Sequence, residues 1–180
     1  MNVFYLDNDP LNCAEMHCDK HVVKMVIEYA QLLSTAHRVL DGEEYVDDSS
    51  GRRIKRWRLP DEREDRIYKA CHVNHPSAIW ARSSNNNYNW LYCLFSITCD
   101  EYTHRYGKVH ETDRKLREVL ATPPRNIEVQ YFKKPPQCMP DHCKMPNVID
   151  AYRNYYIKEK ASFAKWTKRQ IPEWFNNAVL

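Results

Sequence analysis

The sequence predicts a mainly α-helical fold, a compact single-domain bundle over residues 1–180 with a short N-terminal extended arm and a small hairpin at 43–60. Three observations carry this expectation. Only three glycines occur in 180 residues, so tight turns are few. Apolar residues recur near the 3.6-residue period over long stretches. The length suits one domain with one sizeable core.

Residues 2–6, Asn-Val-Phe-Tyr-Leu, read as a short strand or extended arm laid against the core. One long helix is expected from Asp9-Pro10 to Leu40. Asp9 caps it, and Pro10 fits a first turn whose N–H has no helical partner in any case. Val22, Val23, Val26, Ile27, Ala30, Leu33 and Ala36 form its apolar stripe, and Asp41-Gly42 ends it. Residues 43–60 hold the turn signal Asp48-Ser49-Ser50-Gly51, which marks a hairpin or long loop. Order restarts at Pro60-Asp61 with a short charged helix over 61–71. Pro76 biases His75 away from helical geometry, and Ser77 to Arg82 makes a turn or short helix.

Asn85-Asn86-Asn87 opens a second long helix, which runs to Tyr106 and closes at Gly107. Its stripe of Trp90, Leu94 and Ile97, with Leu91, Phe95 and Tyr102 beside it, reads as core. Glu101 and Arg105 have the spacing of a helical ion pair, on the outer edge or near a site. Residues 110–121 form a helix stopped by Pro123-Pro124. The segment 122–147 contains six prolines and is a stiff, extended connection. A last helical region covers Val148 to about Arg169, and Pro172-Glu173-Trp174-Phe175 packs back onto the body.

Seven cysteines without a CxxC pair suit reduced thiols, mostly buried at Cys13, Cys93 and Cys99, with no disulfides. No apolar run is long enough to span a bilayer, which leads to the expectation of a soluble, cytoplasmic protein with no membrane partner. Scarce glycine and missing motifs exclude a Rossmann or P-loop phosphate cradle, and no cofactor is expected. The net charge of +3 is too small to identify a nucleic-acid partner. Its distribution says more: Arg52-Arg53-Ile54-Lys55-Arg56-Trp57-Arg58 carries five basic groups in seven residues. Lys158, Lys160, Lys165, Lys168 and Arg169 add a second cluster. Basic groups interleaved with aromatics suit a phosphate backbone and stacked bases.

The stretch His17-Cys18-Asp19-Lys20-His21 is the densest chemistry in the chain. On one helix His17 and His21 share a face, beside a carboxylate, a thiol and an ammonium. One use is a metal site at His17 and His21, completed by His75, His72 or Asp19. The HExxH pattern is absent, and Lys20 places positive charge there, so this stands as the alternative. Cys138 and Cys143 flank a loop with His142, with no second ligand pair. The preferred use is acid–base or nucleophilic chemistry on DNA or a nucleotide. Asp19, Lys20, His21 and His75 would carry it. Arg82, Arg105, Arg153 and Lys144 would neutralise phosphates, and Asn74, Asn86 and Tyr152, with His17, would contact the substrate.

Two elements carry a resemblance. His17–Met25 reads HCDKHVVKM, and Asn74–Arg82 reads Asn-His-Pro-x-x-x-Trp-x-Arg. Together they resemble a group of small, mostly phage-encoded proteins without an assigned function. The chain is also similar, over residues 1–110, to the pyrimidine dimer DNA glycosylase (endonuclease V) family. Those enzymes are compact and helical, with an N-terminal arm, an acid on the first helix, an Asn-His-Pro element and a later helix ending near Arg-Gly-Tyr. Here Glu101 to Gly107 reads Glu-Tyr-Thr-His-Arg-Tyr-Gly. The resemblance implies attack on the sugar C1′ by the N-terminal amine, which would belong to Met1, assisted by a carboxylate, which would be Asp19. It departs in two places. Asn2 is too large to favour removal of Met1, and the family acid is a glutamate, one methylene longer than Asp19. The function expected is therefore an N-glycosylase/lyase acting on damaged or modified pyrimidine, a DNA repair activity of a cytoplasmic, phage-type protein. A metal-dependent enzyme and a non-catalytic accessory protein that binds DNA or a host protein are the alternatives.

Overall fold

The computed structural model describes residues 1–179. The fold is mainly α-helical, with a single two-stranded antiparallel sheet among the described residues. Residues Val3–Leu6 run extended without a sheet partner and are buried, so the N-terminal arm is part of the core. Asp9 accepts from the Leu11 N–H, with Pro10 behind it, to open α1 (Pro10–Met16).

The long first helix expected from the sequence is two. His17 leaves helical geometry at ψ 132°. Its Nδ1 donates to the Cys13 carbonyl at 2.5 Å, the acceptor that the His17 N–H would use in a continuing helix. A side-chain donor has replaced the backbone one, and α1 stops. Cys18 is extended, and α2 (Asp19–Asp41) starts afresh. His17 therefore lies between the two helices, and His21 in the first turn of α2. Val22, Met25, Val26, Tyr29, Ala30, Leu32, Leu33 and Ala36 form the buried face of α2, whereas Val23 and Ile27 are more than a third exposed, outside the expected stripe.

Gly42 ends α2 where the chain passes close to itself. A Cβ there would lie 2.5 Å from the Arg38 carbonyl oxygen and 3.3 Å from Trp57 Cβ. The hairpin follows as β1 (Glu43–Asp47) and β2 (Ile54–Arg58), with Glu43 opposite Arg58 and Asp47 opposite Ile54. Arg38, buried at the end of α2, holds this region down. It donates to the carbonyls of Trp57, Glu64, Ile67 and Tyr68 and to the Glu64 carboxylate. The charged helix expected over 61–71 shrinks to α3 (Arg63–Arg66), because those carbonyls accept from Arg38 instead of a helical N–H.

His75 caps α4 (Pro76–Arg82) through its Nδ1, and Ser84 caps α5 (Asn85–Tyr106), which stops at Gly107 with φ +69°. Leu91, Leu94, Phe95 and Tyr102 are buried on α5, while Cys93 is exposed rather than buried. All seven cysteines are free. α6 (Glu111–Leu120) packs on α2. Beyond it the proline-rich segment runs extended, held by the asparagines that open α5. Asn85 accepts from the Gln130 N–H, Asn86 donates to the Gln130 carbonyl, and Asn87 accepts from the Lys133 N–H. A 3-10 turn at Asp141–Cys143 leads to α7 (Val148–Glu159).

α7 stops ten residues before the expected Arg169. The N–H groups of Phe163 and Ala164 both donate to the Lys160 carbonyl, turning the chain back. Trp166 then donates to the Met16 carbonyl and Thr167 to Asp19, so the tail crosses the α1–α2 junction before α8 (Glu173–Val179). One hydrophobic cluster runs from Val3 to Phe175 and unites these elements.

An ion network closes the junction. Arg105, fully buried, donates to Glu101 at 2.6 Å, to Asp19 at 2.9 Å and to the Glu15 carbonyl at 3.0 Å. Arg169 covers the other side of Glu101 at 2.8 Å. Burial would raise the Glu101 carboxyl, but the Arg169 and Arg105 bonds outweigh it and hold it below its usual value. That stabilisation is present above the unfolded carboxyl value of about 4.3 and is lost as pH falls through the lower folded value. Arg105→Met removes one of the two cations on Glu101 and the buried partner of Asp19, and should cost about 3 kcal/mol in urea denaturation at neutral pH. The double variant Arg105→Met/Glu101→Gln should cost less than the single one. A double-variant cost equal to the sum of the Arg105→Met and Glu101→Gln costs would show that the pair is not coupled.

Candidate functional site

The expected cluster around His17 divides into groups committed to the fold. His17 is fully buried, its Nδ1 on the Cys13 carbonyl and its Nε2 accepting from the Tyr29 hydroxyl at 2.7 Å. His21 stacks on Phe4 at 4.2 Å and shares a 2.5 Å hydrogen bond with the Tyr156 hydroxyl. Asp19 accepts from Arg105 and from the Thr167 N–H and hydroxyl. Lys20 lies 4.5 Å over the Phe163 ring. None of these hydrogen bonds reaches the Asn74–His75 turn, so the shared site expected there does not form. His17 has both ring nitrogens bonded and none left to share a metal with His21. Four expected substrate contacts likewise hold the chain. Arg82 donates to the Val73 carbonyl, Asn86 to Gln130, Tyr152 to Pro136 and Arg153 to Leu6. Arg105 is sealed in the ion network.

Met1, Asn74, His75 and Lys144 do converge on one region. Ser77, in the first turn of α4, donates to the Met1 carbonyl at 3.3 Å. Beside it lies a cleft of ≈ 530 Å³, lined by His75, Pro136, Cys138, Met139, Lys144 and Tyr155. On the other side of the same loop a second cleft of ≈ 550 Å³ runs between the hairpin and Cys71–Asn74, lined by Lys55, Arg56, Trp57, His72 and Asn74. Sequence reasoning had joined neither wall to the other. A further cavity of ≈ 300 Å³ is lined by His37, Arg63 and Arg125, but His37 and Arg63 there are already bonded to each other.

The loop between the two clefts is held from three sides. Thr35 on α2 and the Cys71 peptide exchange hydrogen bonds, Arg82 grips Val73, and the His75 N–H donates to the His72 carbonyl at 2.8 Å. His72 is held at φ +48°, a left-handed conformation rare for a residue with a Cβ. His75 bonds the Ser77 N–H through Nδ1, so Nε2 is its remaining polar atom. Burial lowers the His75 pKa first, and the N-terminal amine and His72 lower it further, whereas Glu28 raises it. Burial raises Cys71, the Thr35 bond and the N-terminal amine lower it, and Glu28 raises it again. The amine and the Glu28 carboxylate thus act on the same two side chains. Glu28 is half-buried and paired with Lys24 at 3.0 Å. Sequence reasoning passed over it in favour of Asp19. The available signal was its isolation, as the sole carboxylate between Asp19 and Asp41 on an otherwise largely apolar stretch.

No family model, curated protein or solved structure matches this chain.

The committed imidazoles set a pH dependence. Burial lowers His17 to about 4 and His21 to about 2, with the charges of Arg105 and His17 respectively adding to it. His37, which accepts from Arg63 at 2.8 Å, is lowered by burial to about 4. Each lies below the unfolded value of about 6.5, so the unfolded chain takes up these protons first. Stability is therefore intact above that value and falls towards pH 4, by up to about 1.4 kcal/mol per pH unit for each histidine. Urea midpoints measured between pH 7 and 5 should show this decline. His21→Phe, which keeps the stack on Phe4, should reduce the slope by one proton, and an unchanged slope would show that His21 is not buried neutral.

Proposed function

We propose that this chain acts on DNA or a nucleotide at the base–sugar bond, as an N-glycosylase/lyase on damaged or modified pyrimidine, and that the cleft beside Met1 is where it does so. The observation that carries this reading is electrostatic. The N-terminal amine and the Glu28 carboxylate both act on His75, at the edge of a cleft that also presents Lys144, and on Cys71, which lines the second cleft. An amine nucleophile, a carboxylate and an imidazole are the groups such a displacement needs.

In this mechanism the amine nitrogen of Met1 attacks C1′ and the bond to the base breaks, with the electron pair leaving on the base nitrogen. Loss of the ring oxygen bond and a proton from nitrogen gives an imine. Glu28 takes the place that the resemblance had implied for Asp19, stabilising the positive charge that develops at C1′ and moving the proton. His75 and Lys144 hold the substrate, the latter on a phosphate. The second cleft continues the surface to β2, where Arg52 and Arg53 at the hairpin tip are exposed and Lys55 and Arg58 face solvent. A polymer could follow that line from hairpin to amine.

Borohydride reduces an imine to a stable amine and so traps the intermediate. Wild-type protein and abasic or dimer-bearing duplex should give a covalent adduct that maps to residue 1. Glu28→Gln should slow trapping by about 10²–10⁴-fold while binding changes little. Asp19→Asn should lower stability more than trapping. Absence of an adduct with any abasic, dimer-bearing or modified-base DNA would sink the assignment.

The phosphate line is tested separately. DNA affinity should fall with salt, and the triple variant Arg52→Ala/Arg53→Ala/Arg58→Ala should flatten the log–log slope by about 0.9 for each phosphate it no longer neutralises. A slope that the triple variant leaves unchanged would remove the hairpin from the interface.

A further inference from the structure

The 3-10 turn at Asp141–Cys143 meets the end of α7 at a group of side chains that the reading above does not use. His142, Cys143 and Glu159 each offer one donor atom, and the three atoms lie within 4.8 Å of one another. They come from two elements whose relative position is fixed independently of these donors. Asn154 on α7 donates to the Cys143 carbonyl at 3.1 Å, and Lys158 donates to the His142 carbonyl at 2.8 Å. The turn itself is closed by the Cys143 N–H on the Pro140 carbonyl and the Lys144 N–H on the Asp141 carbonyl. His142 Nε2 and Glu159 Oε1 already share a hydrogen bond of 2.7 Å.

We propose that His142, Cys143 and Glu159 form a binding site for a borderline transition-metal dication of the zinc type, with a fourth position open to water. The donor set selects the class. A thiolate disfavours magnesium and calcium, and a mixed sulfur, nitrogen and oxygen set suits tetrahedral zinc. Bond lengths of about 2.0–2.3 Å place donors of a tetrahedral ion roughly 3.5 Å apart. Closing from the present spacing takes shifts on the order of 1 Å, within the rotamer freedom of His142 and Glu159, which are both exposed, around the buried sulfur of Cys143. On binding, the thiol proton leaves to solvent, a metal–sulfur bond forms, and the ion takes the place of the proton between His142 Nε2 and Glu159, that proton passing by way of solvent to Nδ1 so that the imidazole stays neutral. No electron is transferred.

The site sits behind the cleft. Met139, Pro140 and Lys144, which line that cleft, flank the ligand-bearing turn directly in sequence. The metal would staple this turn to α7 and hold that wall in place. Cys138 belongs to a different contact, with its sulfur 3.4 Å from the Ser77 hydroxyl.

Purified, tag-free protein stripped of metal is titrated with Co²⁺ and then with Zn²⁺. One equivalent of cobalt should bind, with a thiolate-to-cobalt charge-transfer band and tetrahedral visible absorption, and zinc should displace it while magnesium does not. Cys143→Ser should abolish the charge-transfer band. His142→Ala and Glu159→Gln, at exposed positions where folding is preserved, should each weaken binding by at least about tenfold, the scale on which even outer-shell changes act. Cys93→Ser, which removes the exposed cysteine elsewhere, should leave the spectrum unchanged. No metal uptake by the wild-type protein, or uptake that His142→Ala and Glu159→Gln both leave intact, overturns the proposal.

Discussion

One hydrogen bond governs how this chain begins to fold, the donation from the His17 ring to the Cys13 carbonyl. By taking the acceptor that a continuing helix requires, it ends α1 and lets α2 set off from a new N-terminus at Asp19. That terminus brings the Asp19 carboxylate to Arg105 and Thr167, and so to α5 and the tail. The exposed carbonyls at the break serve as acceptors for the tail and α5, Met16 for Trp166 and Glu15 for Arg105. A straight helix through His17 would satisfy these groups internally and leave Arg105 with one carboxylate instead of two. The break is a junction on which four elements converge.

The same junction explains how the titratable groups are divided. Near the core they are paired or neutral: two histidines bonded to tyrosine hydroxyls, and a glutamate gripped by two arginines. Arg63, His37, Tyr88 and Leu120 form a chain of the same kind, in which each donor meets an acceptor. Such networks rigidify a core when every member is satisfied. The groups around the two clefts are of another kind. Glu28, His75 and Lys144 lie at the margin of the core, where their partners Lys24, Ser77 and Asp141 are local and each group keeps access to solvent.

Where structure follows from neighbours in sequence, it was legible. Asp9, Pro10 and Gly107 work at the ends of their helices through local geometry, and the hairpin turn at Asp48–Gly51 forms where its composition places it. What escaped depends on partners far along the chain. The break at His17 is invisible to apolar periodicity, because a ring nitrogen and a backbone N–H compete for one acceptor and spacing cannot weigh them. α7 stops early because Trp166 and Thr167 are drawn to α1 and α2, about 150 residues away. The site suffered the same limit. The pattern of His17 to His21 is conspicuous in sequence, yet His17, Cys18 and His21 are buried and Asp19 is paired with Arg105, whereas Glu28 looked like one polar residue on a buried helix. His142 and Glu159 meet only because the turn at Asp141–Cys143 is pinned to α7.

The buried arm has a consequence for how the protein is made. Phe4 is enclosed by Tyr152, Tyr155 and Tyr156, and Leu6 is bonded by Arg153, 147 residues further on. At synthesis rates of about 5–20 residues per second, roughly 7–30 s pass between the two. During that interval an apolar tetrapeptide is exposed on the nascent chain with its final partners not yet translated. The arm is therefore among the last segments to be buried although it is made long before α7, and α7 is the element that closes the core over it.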